Sequence, residues 1–148
     1  MKKIVLSIAF ILTTLCVRAQ IQTPVKWAYA AKKLNTNEAV VYLKATIDKG
    51  WHIYSQNVTE GGPIKTSFLF AKSDDYQVKN KTTEPLPKKK FEKAFDMNVT
   101  YFENTVVFQQ KVKLNSAKPV VKGNLTYMAC SNKECLPPED VEFSVAFQ

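Results

Sequence analysis

The chain has 148 residues, of which 45% are hydrophobic and 23% charged, and its formal net charge at pH 7 is +8. That length is enough for one domain with a real core and too short for two. The only arginine is Arg18, so the usual residue for bidentate phosphate recognition is almost missing, which weighs against nucleic-acid binding.

The N-terminus sets the compartment. Lys2 and Lys3 precede an apolar run from Ile4 to Val17, and Val17-Arg18-Ala19 offers small side chains at the −3 and −1 positions of a cleavage site. This is the build of a secretory signal peptide over residues 1–19. The run is shorter than the ~20 residues a membrane-spanning helix needs, so a retained anchor is disfavoured. Leu15 stands before Cys16 where a lipid-attachment site wants a small residue, which disfavours a lipoprotein. Cleavage after Ala19 removes 19 of the 148 residues and leaves a domain of residues 20–148 outside the cytoplasm, untethered. Lys2, Lys3 and Arg18 leave with the signal, so the charge falls from +8 to +5 and every remaining basic residue is Lys.

The rest of the chain reads as β. Val25, Trp27, Tyr29 and Ala31 alternate with mostly polar residues, and Val41, Leu43, Ala45 and Ile47 do so after the Asn35–Glu38 turn. Asp48-Lys49-Gly50 is a turn, followed by Trp51, Ile53 and Tyr54. Ser67–Ala71 and Tyr76–Lys79 are short strands beyond the Gly61-Gly62-Pro63 break. Val99–Phe102 and Thr105–Leu114 flank a tight Glu103-Asn104 turn. Val120–Met128 and Val141–Phe147 complete the set. Strand formers with turn signals at short intervals predict an all-β antiparallel sandwich, without the βαβ alternation of a thioredoxin fold. The one helix candidate is a short turn over Lys88–Phe95. Lys88-Lys89-Lys90 is expected in a solvated, Pro-flanked loop, with electrostatic steering of an acidic partner as its functional alternative.

Without Cys16 the chain holds two cysteines, Cys130 and Cys135, in an oxidising compartment. The four residues between them, Ser131-Asn132-Lys133-Glu134, are polar and turn-forming, and Leu136-Pro137-Pro138 follows. A folded-back loop brings two such cysteines within disulfide distance. The chain-entropy model gives a loop this short about 2 kcal/mol of stabilisation, against roughly 4 to 5 for a bond joining distant strands. A stabilising disulfide is better placed at long range, so the short polar loop suits a bond that opens. Lys133 and Glu134 offset each other and no helix N-terminus is predicted nearby. The thiols are therefore expected near or above the ordinary ~8.5, slow with small thiols and reactive against a docked partner. A metal site built on Cys130, Cys135, Met128 and His52 has too few ligands for structural zinc and one histidine where blue copper uses two. No nucleophile, phosphate-loop or metal-protease motif is present.

Three segments carry a family resemblance. These are Val41–Tyr54, ending Asp48-Lys49-Gly50-Trp51-His52-Ile53-Tyr54; Phe95–Phe108; and Thr126–Phe143, with the cysteine loop, Pro137-Pro138 and Glu139. Together they resemble the N-terminal periplasmic domain of the thiol–disulfide interchange protein DsbD, over about Trp27 to Phe147. The resemblance implies an immunoglobulin-like sandwich that passes reducing equivalents from a membrane donor to periplasmic thioredoxin-like proteins. By position Cys135 forms the mixed disulfide and Cys130 resolves it. Phe95 falls at the family's aromatic cap, and Trp51, His52 and Tyr54 line the site. Four residues separate the cysteines where the best-known members have five, and Asp96-Met97-Asn98 replaces the residues that flank their cap. With no membrane module in the sequence, the electron donor is expected to be a separate protein. No cofactor is called for, since the cysteines carry the electrons, and the domain is expected to act as a relay component rather than a stand-alone enzyme. The competing expectation is a secreted, non-enzymatic binding module with a structural disulfide.

Overall fold

The computed structural model describes residues 22 to 147; the expected signal peptide and Cys16 lie outside the described residues. Eleven strands form, with no helix among the described residues: β1 (Val25–Lys33), β2 (Glu38–Ile47), β3 (Trp51–Tyr54), β4 (Ser67–Phe70), β5 (Tyr76–Thr83), β6 (Lys88–Glu92), β7 (Met97–Phe102), β8 (Thr105–Leu114), β9 (Val120–Tyr127), β10 (Ala129–Ser131) and β11 (Glu139–Ala146). They build three antiparallel sheets, ordered β1-β2-β8-β5, β10-β3-β7-β6 and β11-β9-β4. The architecture is an immunoglobulin-like antiparallel sandwich.

Period-2 patterning produces this arrangement. Val41, Leu43, Ala45 and Ile47 of β2 face one way, as do Val106, Phe108, Val112 and Leu114 of β8, and all are buried. They meet Val121, Leu125 and Tyr127 of β9 and Phe143 and Val145 of β11 in one core, which Ile53, Phe102 and Ala129 extend into the second sheet. Trp27 packs among Phe68, Phe108 and Tyr127, with centroids 5.6 to 6.2 Å apart. Gln110 occupies an inward position of β8 without penalty, because its amide donates to the Lys79 and Lys111 carbonyls and accepts from Thr82 across the β5 bulge.

Two elements differ from the sequence reading. Lys88–Glu92 is an edge strand paired with β7, with Lys88 opposite Tyr101 and Lys90 opposite Val99, rather than a helical turn or a solvated loop. A lysine-rich run is a suitable edge strand because charge discourages pairing with other chains. Ala129–Ser131, to which the sequence reading assigns no strand, forms β10; it pairs with β3 in the second sheet while β9 lies in the third. Both strands are short and lack apolar alternation, so pairing defines them, not pattern.

Gly123 sits in β9, between β4 and β11, where a Cβ would lie 2.5 Å from the Leu69 carbonyl oxygen and 2.5 Å from Phe143 Cζ. Gly123→Ala is expected to cost about 1 to 3 kcal/mol through overpacking, measured as a lowered urea midpoint at unchanged slope.

Candidate functional site at the cysteine hairpin

Cys130 and Cys135 are joined by a disulfide with their Cα atoms 4.0 Å apart. The loop between them is a hairpin with its own hydrogen bonds. Ser131 N–H donates to the Glu134 carbonyl at 2.8 Å, and Leu136 N–H donates to the Ala129 carbonyl at 2.9 Å. Ser131 Oγ accepts from the Lys133 and Glu134 amides, both at 3.2 Å. On the exit side β11 is tied to β9 by Tyr127 OH, which donates to Glu139 at 2.7 Å, and by Thr126 OH, which donates to Asp140 at 2.5 Å. Burial, then the hydrogen bond to Glu139, raises the Tyr127 phenol above its ordinary value.

The two sulfur positions are unequal. Cys130 has no exposed surface and belongs to a small cluster with Tyr54 and Val99. Cys135 is exposed, with Asn132, Lys133 and Glu134 beside it in the loop. The alternation along β10 and β3 explains the difference. Cys130 stands directly opposite His52, and His52 and Tyr54 share one face of β3. Trp51 and Ile53 point the other way and pack on the main core. The structure therefore brings His52, Tyr54 and Cys130 together and places Trp51 on the opposite face.

Phe95 reaches the same cluster from the β6–β7 hairpin. Glu92 and Met97 close this hairpin and Lys93–Asp96 turns it, with Asp96 in the left-handed region at φ 51°. An Asp tolerates that conformation better than most residues. The turn sets the Phe95 ring edge-on to Tyr54, with centroids 6.4 Å apart, and half-buried against the Cys130 cluster.

A charged group that the sequence did not reveal lies on this face. Lys90 and Glu92 of β6 reach across β7 to β3. Lys90 Nζ is 3.0 Å from His52 Nε2 and 2.7 Å from Glu92 Oε2. Glu92 Oε2 is 3.5 Å from His52 Nε2 and accepts from Tyr54 OH at 3.4 Å. Tyr101 of β7 lies beneath, 5.1 Å from Lys90 Nζ and edge-on to His52. Burial first, and the Lys90 charge second, lower the His52 imidazole to about 4, against the opposing pull of Glu92. Burial and Glu92 raise the Tyr54 phenol. Burial alone would raise the Glu92 carboxyl, but its hydrogen bond and charge contact with Lys90, helped by His52 and Tyr54, lower it overall. Only a β6 strand with Lys90 and Glu92 at alternate positions puts both on this face, and the sequence carries no separate signal for that strand.

An immunoglobulin-like sandwich with a short-loop disulfide at a sheet edge, one sulfur position buried among aromatics and the other open, defines a class of candidate redox domain. The match to known proteins names it more closely. The family model described as thiol:disulfide interchange protein DsbD, N-terminal, matches residues 19–146, and the chain belongs to that family. Among solved structures, the fold is similar to the N-terminal periplasmic domain of ScsB from Proteus mirabilis, with TM-score 0.64 and 21% identity over 83% of this chain and 46% of that one. This chain thus spans about half of that ScsB chain. It is also similar to the Neisseria meningitidis DsbD N-terminal domain in the reduced form, with TM-score 0.50 and 15% identity over 80% and 84% of the two chains. In complex with the PilB N-terminal domain, the Neisseria meningitidis DsbD N-terminal domain gives TM-score 0.55 and 17% identity over 84% and 87%. No curated protein matches at the sequence level.

His52 gives stability a defined pH window. The group is neutral in the fold down to about 4, while in the unfolded chain it takes up a proton near 6.5. Its contribution is complete above about pH 6.5 and is lost as pH falls through about 4, a change of about 3 kcal/mol. Urea unfolding between pH 7 and pH 4 is expected to show this loss, and His52→Phe to remove most of it. Glu92, lowered in the fold, contributes stability that is complete above the ordinary carboxylate value and is lost as pH falls below it.

Proposed function

We propose that this chain is an exported thiol–disulfide exchange domain, residues 20–148 after removal of the signal peptide 1–19. It relays reducing equivalents from a membrane electron donor to periplasmic thioredoxin-like proteins through Cys130 and Cys135. The observation that carries this reading is the unequal burial of the two cysteines. An incoming thiolate reaches Cys135 and forms the mixed disulfide there, and Cys130 leaves into the interior, held next to the bond it later re-forms. Disulfide exchange proceeds through such an intermediate and depends on which sulfur is open to attack.

The hairpin supports the same reading. Backbone hydrogen bonds close the loop in addition to the disulfide, which favours a bond that opens without unfolding its surroundings. Phe95 acts as the cap, packed on the Cys130 cluster until a partner displaces it, and Tyr54 and His52 form the floor. A family member from Neisseria meningitidis is found in complex with the PilB N-terminal domain, which favours protein partners for this chain too.

Thiol trapping across a dithiothreitol series, with circular dichroism on the same samples, tests the proposal. The pair is expected to titrate well above the roughly −300 mV typical of structural disulfides in secreted proteins. Reduction should leave the fold intact at a cost of about 2 kcal/mol. A bond that breaks only as the domain unfolds would make the cysteines structural and leave a binding module. Cys130→Ala is expected to accumulate a mixed disulfide with a thioredoxin-like protein through Cys135, and Cys135→Ala to accumulate none. Phe95→Ala is expected to speed reduction by small thiols while the unfolding midpoint moves little.

A further inference from the structure

His52 is the one histidine of the sequence, and no step of the exchange just described uses it. It is buried, stands directly across from Cys130 in the β3–β10 pair, and carries Lys90, Glu92 and Tyr54 around a single ring nitrogen. Cross-strand partners place their Cβ atoms about 4.5 to 5.5 Å apart on one face, so the imidazole and the Cys130 side chain lie side by side on the same face of the sheet.

The hydrogen bonds fix where the imidazole proton sits. Lys90 Nζ is 3.0 Å from Nε2, and an ammonium only donates. Lys90 as donor favours Nε2 as the acceptor, and with it the Nδ1–H tautomer of the neutral ring, while Tyr54 OH, 3.3 Å from Nε2, is turned to donate to Glu92. Glu92, 3.5 Å from Nε2, pulls the other way, but it is itself bound by Lys90 at 2.7 Å and by Tyr54 OH. Of the remaining groups facing the ring, Tyr101 presents its edge-on ring from β7, and Glu103 is paired with Lys88. The lowered His52 value agrees with a ring that stays neutral through the working pH range. Nε2 is occupied by Lys90 of β6, which leaves Nδ1–H as the ring's remaining donor.

We infer that His52 donates its Nδ1–H hydrogen bond to the Cys130 sulfur when the disulfide opens, stabilising the buried leaving thiolate, and that Lys90 is the positioning residue that holds the required tautomer. The inference rests on the exchange reading above. In the step, a thiolate of a partner dithiol attacks Cys135 Sγ. The Cys130–Cys135 bond breaks, and its electron pair leaves on Cys130 Sγ, which accepts the hydrogen bond from His52. The partner's second thiol then gives its proton to Cys130 and, as a thiolate, attacks the partner's own sulfur in the mixed disulfide. Cys135 leaves as a thiolate and takes a proton from water. The partner dithiol is oxidised to a disulfide, and the Cys130–Cys135 disulfide is reduced to two thiols. Without a donor, a thiolate at a site with no exposed surface is strongly disfavoured.

The test reads the Cys130 thiolate directly. In a Cys135→Ser background, thiolate absorbance against pH gives the Cys130 pKa. Adding His52→Phe is expected to raise it by about one unit, or roughly tenfold less thiolate at a given pH. His52→Asn, whose amide N–H can stand in for Nδ1–H, is expected to restore most of the shift, while His52→Gln is not. In the protein with both cysteines, His52→Phe is expected to slow reduction by dithiothreitol roughly threefold through the poorer leaving group. Nitrogen-15 spectra of the unaltered protein should show the Nδ1–H tautomer, and Lys90→Met should shift it toward Nε2–H even if His52→Phe fails to fold. A Cys130 pKa unmoved by His52→Phe in a folded protein, equal shifts with Asn and Phe, or an Nε2–H tautomer in the unaltered protein would each overturn the inference. Because the readouts are a thiol pKa and a ring tautomer, they do not depend on finding a protein partner. Failure of the relay reading would appear instead as absence of exchange by the unaltered protein.

Discussion

The site depends on one short pairing, the three residues of β10 against β3. Ala129, Cys130 and Ser131 face Ile53, His52 and Trp51 in that order. Because side chains alternate, this register sends Ala129 into the main core and Cys130 into the aromatic cluster on the other face. A slip of one residue would reverse both assignments, exposing Cys130 to the main core and removing it from Tyr54 and His52. Register is held from both ends, by Tyr127 and Glu139 on the β9–β11 side and by the Leu136–Ala129 hydrogen bond at the loop exit.

The second requirement is the hairpin of β6 and β7. It carries Phe95 at its turn and Lys90 and Glu92 on its edge strand, so one element supplies both the apolar cover and the charges around His52. Lys90 and Glu92 are only partly shielded, with 24% and 15% of their side chains exposed. Burial and the Lys90 charge hold the imidazole neutral against the opposing pull of Glu92. Burying the same pair completely would cost several kcal/mol per ion. The arrangement places the charges at the rim and the uncharged ring inside, beside the sulfur.

The main core and the cysteine pair thereby lie in separate parts of the molecule. The large core between the first and third sheets, with Phe108, Leu43, Val121 and Leu125 fully or almost fully buried, supplies the stability. The cysteine hairpin adds a bond whose closure removes little chain entropy. Opening that bond therefore leaves most of the fold's stability untouched.

Much of this was legible in the chain itself. The alternation in Val41–Ile47 predicted a strand and its apolar face, because a two-residue period admits one solution once a face is apolar, and the Glu103-Asn104 turn predicted the strand over Thr105–Leu114. The cysteine count and the polar spacer predicted a short-loop pair, since two cysteines in a tight turn have no other partner. The strand at Lys88–Glu92 was not legible: its residues carry no period, and only backbone hydrogen bonds to β7 make it a strand. Nor was the fate of Trp51 and His52, adjacent residues that part to opposite faces once β3 is placed between β10 and β7. The sequence by itself determined the all-β class, the cysteine pair and the family. Tertiary structure alone decided which cysteine is buried and that Lys90, Glu92 and His52 meet, because those facts depend on pairing of β3 with β7 and β10, segments some fifty to eighty residues apart, and local pattern carries no information about register at that distance.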